Sequence, residues 1–327
     1  MSGWTKREGG QVSLAYLLRR LGSIVLVLAI VTLAVFILTA VLPGNAALMI
    51  LGQNASADSL AALTAQLGLN RPLPVQYLSW VWGVLHGNLG MSLRLSLPVS
   101  QVVGEAFWNS LALAVTALVA VTAVAIPLGV VAALARGTVV DLLIGLFSYV
   151  GTSMPEFVTA TLLLVLFASP GAQMLPAGGF VAPGENLLGF LDHAILPAAT
   201  LGLILVAHIS RQVRSEMSEV LSADYIRAAR LKGLREGRVI RRHALPNALA
   251  PAVAVIALDV GYLLGGIIVV EEIFAWPGLG RLLIYALQNR DLPVIQAITL
   301  LLATVYALTN LAADIAIAIL DPRVRYA

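Results

Sequence analysis

Three carboxylates interrupt long apolar stretches of this 327-residue sequence: Glu156, Asp259 and Asp314. A charged carboxylate among apolar side chains is costly unless a cation, a hydrogen-bond donor or a wet cavity meets it. Glu156 follows Pro155, whose missing N–H opens the helical backbone beside the acid. Asp259 stands near the middle of its stretch. Two chemistries fit Glu156 and Asp259. They could attract a passing cationic group, such as an ammonium or a metal ion, or they could hydrogen-bond between packed helices. Asp314 stands near the end of its stretch, where a structural role is the better fit.

The other reactive residue types form no catalytic pattern. Histidines 86, 193, 208 and 243 are scattered, without the His-x3-His spacing that preforms a metal site. There are no cysteines, which excludes thiolate ligands and a cysteine nucleophile. No Ser/His/Asp set lies on a recognisable nucleophile elbow. The two lysines are Lys6, before Arg7, and Lys232, before Gly233, so neither completes a G-x-x-x-x-G-K-[ST] phosphate loop. The sequence therefore predicts no catalytic residue, no metal site and no nucleotide hydrolysis on this chain.

The elements that carry the acids are apolar beyond what a water-soluble surface allows. The chain is 59% hydrophobic and 11% charged, with mean hydropathy +0.92, whereas soluble domains carry about 25% charged residues. Six runs are long enough to cross a bilayer: Leu21–Leu42, Trp108–Ala135, Leu142–Ala168, Ala194–Ser210, Leu249–Val270 and Pro293–Leu320. The third is interrupted at Pro155 and Glu156, and the fourth is the shortest. The runs lack period-2 alternation, so they read as helices rather than barrel strands. The predicted class is an all-α integral membrane protein. The first run exceeds a signal-peptide core and reads as an uncleaved anchor.

Alternate connections sort the cations. Sixteen Lys and Arg residues fall in the amino-terminal segment, the second-to-third and fourth-to-fifth connections and the tail. Only Arg71, Arg94, Arg281 and Arg290 fall on the other side. This bias predicts both termini in the cytoplasm. The connection Pro43–Glu105 then faces outward. It contains a helical pattern at Ala57–Leu67 ended by Gly68, followed by Tyr77, Trp80 and Trp82, with Trp108 just beyond. Either these rings rest in the headgroup layer, or the loop forms a compact cap.

The fourth-to-fifth connection carries nine cations and a helix signature. Ser222 and Asp224 suit a helix start, and Gly233 suits the left-handed residue after a helix end. A second short helix is predicted from Arg235 to Ala244, before Pro246 begins the return to the membrane. Topology and lipid attraction account for the charges, but not for Ala228-Ala229. A small-residue face on an exposed helix invites close packing by another protein.

Arg227-Ala228-Ala229-x-x-x-Gly233, nine residues and then His243-Ala244-Leu245-Pro246 resembles the E-A-A-x-x-x-G-x9-I-x-L-P loop of ABC-type importer permeases. Arg227 replaces the family's Glu, and His243 its Ile. Leu67-Gly-Leu-Asn-Arg-Pro-Leu73, Gln76-Tyr77, Gly90-Met-Ser92 and Ser153-Met-Pro-Glu-Phe157 resemble the dipeptide, oligopeptide and nickel permeases. So do Val270–Gly280, Asn289–Gln296 and Asp321-Pro-Arg323.

The resemblance implies a type I ABC importer permease fold in a bacterial or archaeal cytoplasmic (inner) membrane. It implies a second, homologous permease subunit, two cytoplasmic ATPases that hold the ATP and Mg, and an extracytoplasmic solute-binding protein. It assigns Tyr225, Arg227, Ala228, Ala229, Gly233, Leu245 and Pro246 to ATPase coupling. The cargo it implies is a short peptide or a related small solute. The expected organisation is an N-terminal region 1–107, a permease domain 108–320 with a coupling loop at 211–246, and a tail 321–327. A function of a different kind, an ion-coupled secondary transporter or channel, leaves the Ala-Ala…Gly loop without a purpose.

Overall fold

The computed structural model describes residues 14–41, 51, 56–66 and 68–320. Lys6, Arg7 and the tail 321–327 lie outside them, as do Leu42 and part of the first connection. The described residues are overwhelmingly helical, with one isolated bridge between Met91 and Pro98.

Twelve α-helices are bounded among the described residues, in chain order. They are α1 (Leu14–Val41), α2 (Ala57–Gln66), α3 (Leu73–Leu85), α4 (Val99–Leu134), α5 (Val139–Ser153) and α6 (Glu156–Phe167). Then come α7 (Leu187–Ser222), α8 (Asp224–Leu231), α9 (Glu236–Val239), α10 (Leu245–Ile273), α11 (Leu279–Asn289) and α12 (Leu292–Leu320). Four helices, α1, α4, α7 and α12, are long and apolar enough to cross a membrane over their described residues. A fifth crossing is available if α5 and α6 count as one broken span. In hydrocarbon every backbone group must bond within its own segment, which is why such sequence becomes helix.

Two of these helices, α4 and α7, extend furthest beyond the apolar runs that announced them. The α4 helix begins at Val99 rather than Trp108. Ser100, Gln101, Gly104 and Glu105 break the continuous apolar run, yet Val99, Val103 and Ala106 are buried at helical spacing. The first turns of α4 are therefore amphipathic rather than wholly apolar. The α7 helix spans Leu187–Ser222 rather than Ala194–Ser210. Its start is capped by the Asn186 side chain, which accepts from the Gly189 N–H at 3.0 Å. Its later turns carry Arg211, Arg214, Glu216 and Glu219.

The third apolar run is two helices, not one straight crossing. The axes of α5 and α6 meet at 110°. Pro155 forces this break: it disfavours helical backbone at Met154, which is extended at ψ 123°, and it supplies no N–H.

The described residues form two compact units. One comprises 14–21, 112–275 and 306–320. The most buried of the candidate crossings is α7, with α5, α6 and α10 packed on it. Small residues allow close approach: a Cβ on Gly129 would lie 2.6 Å from the Ser210 carbonyl oxygen. Asp141 accepts two bonds from the Arg214 guanidinium, at 2.5 and 2.7 Å. Asp314 pairs with Arg20, the structural role expected of it.

The second unit comprises the described residues of 22–111 together with 276–305. Val99, Val103, Ala106, Leu279, Ala286, Val294 and Ile298 form its core. Tyr77 and Trp80 pack on Phe36 and are partly buried, whereas Trp82 and Trp108 are exposed. The first connection thus contributes to a packed helical unit, with the Trp82 indole left at its surface. Asp291 fastens the chain before α4. Its carboxylate accepts from Ser92 Oγ, the Leu93 N–H and the Arg94 N–H.

Candidate functional site

The proline break places Glu156 at the first turn of α6, where the helix dipole favours a carboxylate. Opposite it, α10 presents Gly261, Tyr262, Gly265 and Gly266. Together they line a cavity of about 690 Å³ whose rim includes Ser153, Met154 and Phe157. The absence of a side chain at Gly266 leaves room for the Glu156 carboxylate, which a Cβ there would displace. The Tyr262 phenol lines the same cavity beside Glu156. Glu156 has no cationic partner among the described residues.

Asp259 has a different environment. His208 of α7 places Nδ1 3.0 and 3.1 Å from its two oxygens. Asp259 is 8% exposed, while the His208 side chain is 47% exposed. Asp259 does not line the Glu156 cavity. The two acids share one unit but not one pocket. Hydrogen bonding between helices describes Asp259; a carboxylate facing open volume describes Glu156. His208 escaped the sequence reading because its partner is 51 residues away on another helix. Tyr262 and Gly266 were equally illegible as partners of Glu156. Among the described residues, no three His, Cys, Asp or Glu gather as metal ligands.

The second candidate site is the α8–α9 loop. Gly233 adopts φ +77°, the left-handed turn that its position after α8 implied. The cap preceding α8 is Ala223 rather than Ser222, whose hydroxyl instead donates to the Glu219 carbonyl. Arg230 closes the turn with bonds of 2.6 and 3.1 Å to Glu236. The Arg230 guanidinium holds the Glu236 carboxyl below its ordinary range.

Ile226 and Ala229 are buried within the chain, whereas Tyr225, Arg227, Ala228 and Leu231 are exposed. Leu231 is 82% exposed beside several cations, an uncommon place for a leucine. Leu245 is half-buried and Pro246 exposed. No new segment starts at Pro246. The helix runs from α9 through a π turn, Ile240–Ala244, directly into α10. The wider turn, in which the Leu245 N–H bonds to the Ile240 carbonyl, accommodates a proline that cannot donate the next bond.

These features define a polytopic helical membrane protein with an open cavity lined by one carboxylate and with an exposed basic loop. The chain belongs to the family of binding-protein-dependent transport system inner membrane components. That family's profile matches residues 125–326, and its N-terminal companion profile matches residues 13–121. The chain is similar to a dipeptide transport system permease protein, DppB, of Escherichia coli K12, at 41% identity over 96% of this chain and 99% of the relative. It is also similar to a probable peptide ABC transporter permease, y4tP, of Sinorhizobium fredii, at 38% identity over 95% of this chain and 99% of the relative. Among solved structures it resembles a chain of a crystal structure of an amino acid ABC transporter with histidines. The TM-score is 0.50 with 15% identity, over 67% of this chain and 94% of the other, which supports the fold alone.

Proposed function

We propose that the chain is the membrane-spanning permease subunit of an ATP-driven importer of short peptides or a related small solute. The cargo would be delivered by an extracytoplasmic binding protein. Peptide permeases matched along almost their whole length support the substrate class. The complete core would contain a second permease subunit and two cytoplasmic ATPases, with ATP and Mg on those partners. Six crossings, with α10 as the fifth, and both termini in the cytoplasm agree with the cation bias.

The single observation that carries the reading is the exposed Tyr225, Ala228 and Leu231 on a basic helical hairpin that is held shut by Arg230 and Glu236. A partner supplying an apolar groove would cover Tyr225 and Leu231. Arg227, Gly233, Leu245 and Pro246 shape or flank that contact, and Ala229 anchors the helix from behind. ATP-driven closure of the ATPase pair would then favour one of two arrangements of the bundle. The cavity at Glu156 is the proposed contact point on the pathway, with Asp259 fixing the neighbouring helices. No residue of this chain acts as a catalyst in this scheme.

Ala228→Glu tests the docking face more cleanly than a change at Ala229, which is packed inside. The expected result is substrate-stimulated ATP hydrolysis and uptake lost together, with helix content retained. Unchanged coupling and unchanged copurification of the ATPase would overturn the assignment.

A further inference from the structure

The unit built from 22–111 and 276–305 contains a second cavity, of about 410 Å³, remote in sequence from Glu156. Its walls are apolar: Phe36 and Ala40 of α1, Trp80 of α3, and Leu292 and Pro293 of α12 are among them. Its polar rim is unequal in charge. Arg71 lines it, and no Asp or Glu does. Arg71 makes no ion pair among the described residues. The Ser79 hydroxyl and the Asn88 amide nitrogen join it with unused donors, since Asn88 engages only its Oδ1, accepting from Gly90.

The cavity is built before anything enters it. Gln76 Nε2 fixes the Arg71 loop by donating to the Leu69 and Arg71 carbonyls at 3.1 and 2.8 Å. Tyr77 and Thr32 bridge α3 to α1 at 3.0 Å, and Gln296 donates to Thr39 at 2.8 Å.

We infer that this cavity binds one anionic phospholipid, with its phosphodiester on Arg71, Ser79 and Asn88 and its acyl chain against Phe36, Ala40 and Leu292. Charge and shape select an amphipathic anion: donors without carboxylates at the rim, hydrocarbon walls below. Position selects lipid. The uncharged part of α1, residues 21–41, is roughly 32 Å long, about one hydrocarbon thickness, and Thr39 and Ala40 on the cavity wall stand in its last turn. The α1 span is also the least buried of the candidate crossings, at 17%, so it offers acyl chains direct access to that wall. Trp80 and Tyr77 beside it are side chains that favour the headgroup level.

The test uses the transporter with its partner subunits in phosphatidylcholine vesicles, titrated with phosphatidylglycerol brominated on its acyl chains. Bromine quenches nearby indoles, and Trp80→Phe identifies the share belonging to Trp80. The expected result is stronger quenching of Trp80 by the brominated phosphatidylglycerol than by brominated phosphatidylcholine at equal mole fraction. Arg71→Gln should raise the phosphatidylglycerol needed by about tenfold, with Arg71→Lys restoring part of the affinity. Ala40→Phe, which adds bulk to the wall, should abolish the selective quenching. Equal quenching by both lipids, or an unchanged titration in Arg71→Gln, would overturn the inference. Stoichiometric displacement of the brominated lipid by a dipeptide would overturn it in favour of a substrate-carboxylate site.

Discussion

Glu156 and Asp259 are single carboxylates in uncharged helical sequence of the same compact unit, but Asp259 meets an imidazole and Glu156 meets a phenol and a cavity. The difference comes from what the neighbouring helix offers. Opposite Asp259, α7 presents His208, which occupies both oxygens. Opposite Glu156, α10 presents glycines, which supply volume and no charge. What an acid meets inside a membrane protein is set by the facing helix, not by the type of acid.

The strongest way to break this contrast is to remove the volume. Gly266→Leu should drive the Glu156 carboxylate out of place and close the cavity, reducing uptake by more than about a hundredfold. Vesicle uptake of a labelled dipeptide measures this, and near-normal uptake would mean that the cavity is not on the pathway. Glu156→Gln should lower uptake by roughly tenfold while leaving thermal stability close to the parent, since it removes a charge that no cation holds. Asp259→Ala should show the opposite pattern. Stranding His208 should cost about 1–3 kcal/mol in thermal or denaturant unfolding, whereas Asp259→Asn, which keeps an acceptor, should retain most uptake. If Asp259→Asn abolished uptake at full stability, the two acids would have to be grouped together again.

The smallest effect is expected in the loop. The Glu236 pKa is depressed from 4.5 by Arg230, so the clip's contribution is present above that value and lost as pH falls through the lower, folded value. ATPase coupling should be flat from neutral pH to about 5 on this account, and Glu236→Gln should lower it only slightly, because the pair is exposed. A large loss in Glu236→Gln would show that the clip positions the docking face more tightly than an exposed ion pair can.

The apolar runs were legible because hydrocarbon demands them, and the Gly233 turn because few other residues accept positive φ. The early turns of α4 and the later turns of α7 were less legible. There the helix leaves continuous apolar sequence for an amphipathic pattern, and a search for uncharged runs stops short. The cavity also had only half a signal. Pro155 announced a break beside Glu156, but not its 110° angle, nor that Gly266 would lie across from it.

By itself the sequence determined a helical, multi-crossing chain, its resemblance to importer permeases, and the position of the loop turn at Gly233. Those properties depend on local composition, hydrophobic length and backbone freedom, all carried by neighbouring residues. Only the tertiary structure decided that Asp259 is answered by His208 and Glu156 left facing a cavity, that Ala229 turns inward while Ala228 turns out, and that Arg71 rims a cavity without carboxylates. Each depends on which face of one helix meets which face of another. That choice is set by packing between segments far apart in the chain, and no local pattern encodes it.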